Sequence, residues 1–130
     1  MADYRDHYEE IRATGAEVAA VSVDPPEKSQ ALRRELRLPF PILCDTERRV
    51  AKEWDIYNPR EKGGIAKPAV FVIGSEGVVR YSKVDGVARR IPPSEIIRIL
   101  RSSEGRPPRS KTYIPHIGEF YSAIRRMLRR

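Results

Sequence analysis

The sequence has little cysteine and no long apolar run. Cys44 is the single cysteine among 130 residues. One thiol excludes an internal disulfide, a zinc site built from several cysteines and a two-cysteine redox motif within these residues. No apolar run approaches the roughly 20 residues that cross a bilayer. The first ten residues have neither a basic start nor an apolar stretch. They therefore do not look like a secretory signal, and we expect a cytoplasmic location.

Positive charge is in excess, and it is unevenly distributed. Residues 1–100 contain 17 Lys and Arg against 16 Asp and Glu, a balance of +1. Residues 101–130 contain 8 against 2, a balance of +6, which brings the net charge to +7. The body of the chain is therefore nearly neutral, and its charge does not predict specific binding of nucleic acid.

The hydrophobic pattern predicts alternating helices and strands. Apolar residues at helical spacing alternate with short Val-rich runs, and Gly or Pro stands at most of the boundaries. This order is typical of an α/β sheet with helices on both faces. The predicted elements are a helix over 3–13, a buried parallel strand over 16–23, a helix from 25, an extended segment over 40–43, a helix after 46, a hairpin over 69–73 and 78–84, and a helix from 92.

Some individual side chains have predicted roles in these elements. Asp24 is expected to cap the helix that follows it, with Glu27 returning the hydrogen bond. Asp45 or Thr46 is expected to cap the next helix. Three further residues are expected to lie in or near the core, namely Cys44, Val50 and Trp54.

Several short motifs resemble one known family. V-S-V-D at 21–24, L-P-F-P-I-L-C-D at 38–45 and the hairpin that opens with P-A-V-F-V-I at 68–73 are the clearest. Together they resemble the alkyl hydroperoxide reductase/thiol-specific antioxidant branch of the peroxiredoxin-like redoxins, from about Tyr4 to Arg101. The resemblance implies a thioredoxin-like fold, thiol-dependent peroxide reduction or disulfide exchange, and no cofactor.

The resemblance also implies that the catalytic cysteine is absent. In that family a first central strand leads to a reactive cysteine at the start of a helix, where the thiolate attacks peroxide. Residues 3–8 resemble the remainder of that helix, so we expect an N-terminally truncated fold with no catalytic residue. Thioredoxin or a small thiol would be the reductant only where a complete active site exists.

Two family positions can be compared with this sequence. Pro68 resembles the cis-proline that lines thioredoxin-type sites, although a trans proline at a strand start is the alternative. Lys67 stands where many relatives carry an arginine, which weakens that role. Both are predicted remnants of an active site.

Cys44 and the histidines have plainer interpretations. Cys44 precedes a helix, which favours a redox thiolate, but adjacent Asp45 opposes this and a small buried side chain is the preferred interpretation. His7 and His116 lack the spacing of metal ligands, so no metal site is predicted.

The chain is predicted to have two parts. Residues 1–101 form a partial thioredoxin-like domain, and residues 102–130 form a basic linker and a C-terminal helix. The apolar stripe of that helix favours packing on protein over a membrane surface or nucleic acid. Its members are Ile117, Phe120, Tyr121, Ile124 and Leu128.

The resemblance predicts a gap in the sheet. The absent first strand would lie between the strand over 16–23 and the hairpin, leaving edges without partners. A second copy of the chain is the favoured cover, so we expect a homo-oligomer. Two functions remain open: a truncated thiol antioxidant that is inactive alone, or a non-catalytic interaction or dimerisation module.

Overall fold

The structure is a computed structural model that describes residues 1–75, 77–84 and 91–102. The predicted tail at 103–130 lies outside the described residues. None of the described helices is long and apolar enough to cross a membrane. The helices are α1 (Ala2–Asp6), α2 (Tyr8–Ala13), α3 (Pro26–Glu35), α4 (Arg49–Glu53) and α5 (Pro93–Ser102). The strands are β1 (Ala20–Ser22), β2 (Ile42–Cys44), β3 (Tyr57–Asn58), β4 (Ile65–Ala66), β5 (Ala69–Ile73) and β6 (Val79–Val84).

The predicted first helix is present but broken. α1 and α2 are separated at His7, whose φ of −108° is not helical. The ring Nδ1 of His7 lies 2.8 Å from the carbonyl oxygen of Asp3, one turn back. Ile11 of α2 is 2% exposed, whereas α1 has no buried residue. The second helix therefore supplies the core side chain.

β1, predicted as a buried parallel strand, pairs in parallel with β2, which was predicted only as an extended segment. None of the three β1 residues is buried, so that part of the prediction is wrong. Ala20 lies opposite Ile42, Val21 opposite Leu43 and Ser22 opposite Cys44. β1 is shorter than the predicted strand over 16–23, because β2 has only three residues with which it can pair. Prolines limit β2 on its N-terminal side, since Pro41 has no N–H to donate.

The predicted cap of α3 is wrong. Pro25 is the N-cap residue and no side chain caps it. The carboxylate of Asp24 instead accepts hydrogen bonds from Ser22 Oγ at 3.0 Å and from Lys28 Nζ at 2.9 Å. The Lys28 hydrogen bond is the main cause of the lowered pKa of Asp24. The helix begins one residue later than predicted, so Asp24 precedes the N-cap position.

The N-cap residue of α4 is Arg48, so the prediction of Asp45 or Thr46 at that position is wrong. The Asp45 carboxylate still accepts hydrogen bonds from the start of the helix. Its Oδ1 accepts from the Val50 N–H at 3.2 Å and its Oδ2 from the Ala51 N–H at 2.9 Å. Ala51 faces the core at 2% exposure, whereas Val50 and Trp54 are half-buried. The predicted core placement of those two was therefore wrong. Trp54 packs edge-on against Phe71, with ring centroids 4.7 Å apart.

The hairpin is confirmed, and a smaller one was missed. β5 and β6 pair antiparallel from Ala69 opposite Val84 to Ile73 opposite Val79, with an irregularity near Ile73. β3 and β4 form a short antiparallel pair between the helix after 46 and the hairpin, where no strand was predicted. Strands of two residues are too short to give a detectable alternation.

The core consists mainly of helix and loop side chains. The buried apolar residues are Ile11, Leu38, Phe40, Ala51, Val79, Ile91, Ile96 and Ile97. No residue of β1 or β5 is among them. Within the described ranges no ladder joins the β1–β2 pair to the β5–β6 pair. Over those ranges the strands form three separate two-stranded ladders, and the gap stays a prediction.

Tyr4 links the first helix to the segment before α5, and it makes stability sensitive to alkaline pH. Its hydroxyl donates to the Ile91 carbonyl at 3.1 Å. Burial, with a smaller effect of the Glu95 carboxylate, raises the pKa of Tyr4 to about 12. The neutral phenol is therefore favoured in the folded state, and its stabilisation is complete below about pH 10 and lost as the pH rises towards 12.

We expect Tyr4→Phe to reduce the alkaline loss of stability. The variant should lose about 1 kcal/mol at pH 8 through the missing hydrogen bond. Between pH 10 and pH 12 the wild type should lose about 1–2 kcal/mol more than the variant. Urea unfolding at pH 8 and pH 11.5 measures both. Equal losses for wild type and variant would contradict the assignment.

Candidate functional site

Cys44 is exposed, which corrects the expectation that it is buried. It is the last residue of β2, opposite Ser22 in the final pair of the ladder. The apolar run that precedes it suggested burial. The chain leaves the sheet immediately after it, however, and the buried residue at this point is Asp45, at 9% exposure.

Lys67 and Pro68 lie together immediately before β5, and both are exposed. The described residues contain no cis peptide bond, so the bond before Pro68 is trans and the cis expectation was wrong. The Lys67 N–H donates to the Ile56 carbonyl at 2.7 Å, which holds the segment before the proline. Pro68 then takes the ordinary position of a proline at the start of a strand.

The structure does not combine these three residues into one site. Cys44 belongs to the β1–β2 sheet, whereas Lys67 and Pro68 lead into the β5–β6 sheet. In the part of the chain that the structure describes, no hydrogen bond or ion pair connects them. That part also holds no cluster of three or more His, Cys, Asp or Glu residues suited to a metal ion. His116 lies outside it.

Arg48 is a positioning residue that the sequence did not indicate. It has a left-handed φ of +58°. Its Nε donates to the Gly64 carbonyl at 2.9 Å, and its Nη1 donates to the Thr46 carbonyl at 2.9 Å. Gly64 is buried with φ of +101°, and a Cβ there would meet the Tyr57 ring. Arg48 therefore fixes the loop that leads to Lys67 and Pro68.

A second polar cluster joins β6 to α5. The Tyr81 hydroxyl donates to Glu95 Oε1 at 2.9 Å, and Lys83 Nζ lies 3.4 Å from Glu95 Oε2. The Tyr81 hydrogen bond is the main cause of the lowered pKa of Glu95, and the Lys83 charge adds to it. The alternation of β6 places Tyr81 and Lys83 on one face, which is the sequence signal for this cluster. Its geometry orients α5 against the hairpin.

Comparisons with known proteins agree with the resemblance in the sequence. The AhpC/TSA family matches residues 1–82. The chloroplastic peroxiredoxin Q of Populus jackii is 35% identical over 78 residues, which are 59% of this chain and 36% of that protein. The chain thus spans about a third of the length of this curated relative.

Solved structures share the fold. AhpC of Enterococcus faecalis superposes with a TM-score of 0.72 at 23% identity, over 79% of this chain and 63% of that chain. Reduced Prx3 of Vibrio vulnificus, solved in complex with H2O2, superposes with a TM-score of 0.72 at 17% identity, over 81% of this chain and 68% of that chain. These superpositions confirm the predicted α/β, thioredoxin-like fold.

Proposed function

Because the chain belongs to the AhpC/TSA family, we propose that these 130 residues form the scaffold part of a peroxiredoxin-type thiol antioxidant and do not reduce peroxide by themselves. The observation that carries the proposal is the environment of Cys44, the one thiol in the sequence. A peroxide-reducing cysteine needs its thiolate stabilised by a helix N-terminus or a neighbouring cation, or a base to activate it.

Cys44 lacks these supports among the described residues. The next helix is α4, and its Val50 and Ala51 N–H groups already donate to the Asp45 carboxylate. Those donors are therefore not free to stabilise a thiolate at Cys44. Thioredoxin or a small thiol would serve as reductant only with a site that contains an activated cysteine.

A second candidate function is a non-catalytic interaction or dimerisation module. It is favoured by the exposed apolar strand residues, of which Val21 is 38% and Val84 45% exposed. Exposed apolar side chains on strands at the edge of a sheet are a common route to association between chains. Sedimentation of the purified chain separates a monomer from the homo-oligomer that this function requires.

Peroxide consumption tests the first proposal. We expect the chain to consume H2O2 no faster than buffer, with either dithiothreitol or a thioredoxin system as reductant. The Enterococcus faecalis AhpC, assayed in parallel, provides the positive control. Cys44→Ser is the matched variant and should leave the background rate unchanged. Peroxide consumption that disappears in Cys44→Ser would show that Cys44 is catalytic and would overturn the proposal.

A further inference from the structure

A cleft lies between the first two helices and α5. Its volume is about 520 Å³, which is within the range of clefts that bind small molecules in proteins. His7 and Glu10 line it on one side, and residues of α5 line it on the other. Cys44, Lys67 and Pro68 are not among its lining residues. The α2–α5 cleft is therefore separate from the residues considered above as remnants of an active site.

The α5 side of the cleft presents positive charge and a hydroxyl group. Ser94, Arg98 and Arg101 line the cleft and follow one another at intervals of four and three residues. Residues at these intervals share one face of a helix, with Cβ atoms about 5–6 Å apart. Arg98 is therefore a neighbour of both other residues. One ligand group bound at Arg98 is within reach of the Ser94 hydroxyl and the Arg101 guanidinium.

The Arg98 guanidinium is available to a ligand. Within the described part of the chain it makes no hydrogen bond or ion pair. Its charge acts on the Glu95 carboxylate, but Glu95 Oε1 already accepts a hydrogen bond from the Tyr81 hydroxyl. The Ser94 hydroxyl likewise makes no hydrogen bond to any described residue. The centre of the α5 face therefore has donors that are not in use.

Arg101 is paired with a carboxylate at the edge of the cleft. Its Nη2 lies 3.0 Å from Glu10 Oε1, and both side chains are exposed. Exposed pairs of this kind contribute little to stability, so a ligand with more negative charge can compete with Glu10 for Arg101. The two arginines and Glu10 together carry a net charge of +1. The α2–α5 cleft therefore attracts an anion.

We propose that the α2–α5 cleft binds a small phosphate monoester, with its phosphate group at Arg98. Such a group has about −1.5 to −2 charges at pH 7 and three acceptor oxygens. It can accept from Arg98, Ser94 and Arg101 together, whereas a carboxylate has only two oxygens. The volume leaves room for an organic group beside the phosphate, and buried Ile97 lines the cleft as its apolar contact. This binding site does not depend on the function proposed above.

A titration with phenyl phosphate tests the proposal. With the full ¹⁵N-labelled chain at pH 7.5 and constant ionic strength, we expect saturable shifts of the Ser94 and Arg98 amide signals in NMR spectra. Benzoate and phenol carry the same ring with a carboxylate or a neutral hydroxyl, and each should bind at least about tenfold more weakly. Inorganic phosphate should shift the same two signals but bind more weakly than phenyl phosphate, because it lacks the organic group.

Four substitutions distinguish a site at Arg98 from the positive charge of the whole chain. Arg98→Gln should weaken binding by about tenfold or more, and Arg98→Lys by less, because lysine keeps the charge and loses the planar fork. Glu10→Gln removes the competing carboxylate and should strengthen binding. Arg60→Gln removes an exposed arginine outside the cleft and should change binding by less than about twofold. Circular dichroism checks that each variant folds, and the four ligands on the unmodified chain decide if one does not.

Three results would overturn the proposal. The first is that phenyl phosphate leaves the Ser94 and Arg98 signals unmoved, whether it fails to bind or binds only to the basic residues after 102. The second is that benzoate, phenol or inorganic phosphate binds as tightly as phenyl phosphate. The third is an equal loss for Arg98→Gln and Arg60→Gln, which would assign binding to net charge. None of these measurements involves peroxide, so the peroxide assay tests the proposed function separately.

Discussion

Replacing Phe40 by alanine is expected to lower the free energy of unfolding by about 3–5 kcal/mol. Phe40 is 1% exposed and is the largest fully buried side chain of the described residues. Its ring centroid lies 6.0 Å from that of Tyr8, which ties the segment before β2 to the first helices. Truncation removes the buried ring and leaves a cavity that the surrounding residues fill only in part.

The loss expected for Phe40→Ala is large relative to the total free energy of unfolding. A domain of this size has a free energy of unfolding of about 5–15 kcal/mol, so Phe40→Ala should leave a substantial unfolded fraction at 37 °C. Urea unfolding followed by Trp54 fluorescence measures the loss. Phe71→Ala is the matched control, because Phe71 is half-buried in β5 and should cost less than half as much. Equal losses for the two variants would contradict the assignment of Phe40 to the centre of the core.

The sequence predicted the elements whose signal is local. The hairpin was predicted within one residue, because two β-prone runs flank a connection with Gly74 and Gly77 at its ends. α5 was predicted from its two prolines and from Ile96 and Ile97, which are 5% and 4% exposed. β1 was predicted as a parallel strand from its short Val-rich run, and it does pair in parallel. In each of these elements, propensity, hydrophobic pattern and turn residues favour the same structure.

The predictions were wrong where contacts between residues distant in the sequence determine the structure. Cys44 and Trp54 sit in apolar patterns, but the extent of their burial depends on what covers β2 and α4. Asp24 was predicted to cap α3, but Pro25 occupies the N-cap position and the Asp24 carboxylate binds Lys28. Arg48 could not be identified at all, since its partner Gly64 is sixteen residues away. The cis expectation for Pro68 came from the family resemblance, and no local feature of the sequence supported it.

Asp45→Ala is expected to lower the free energy of unfolding by about 2–3 kcal/mol. Asp45 is 9% exposed, and its two carboxylate oxygens accept separate hydrogen bonds from the Val50 and Ala51 N–H groups. Loss of a side chain that accepts from the first N–H groups of a helix costs about 0.5–2 kcal/mol, and a buried donor left without a partner costs about 1–3 kcal/mol. Since the Ala51 donor is buried, water cannot easily replace the lost acceptor.

Two further variants distinguish the loss of these hydrogen bonds from the loss of one negative charge. Asp45→Asn keeps one carbonyl oxygen as an acceptor and should cost less than Asp45→Ala. Asp24→Ala removes an exposed carboxylate whose partner, Lys28 Nζ at 2.9 Å, is also exposed, and such pairs contribute about 0–1 kcal/mol. Urea unfolding of the three variants at neutral pH ranks them. If Asp24→Ala cost as much as Asp45→Ala, net charge and not these hydrogen bonds would determine the loss. A larger loss for Asp45→Ala than for Asp24→Ala would show that the buried Asp45 carboxylate stabilises the start of α4. It would thereby also stabilise Arg48, which contacts the Gly64 carbonyl.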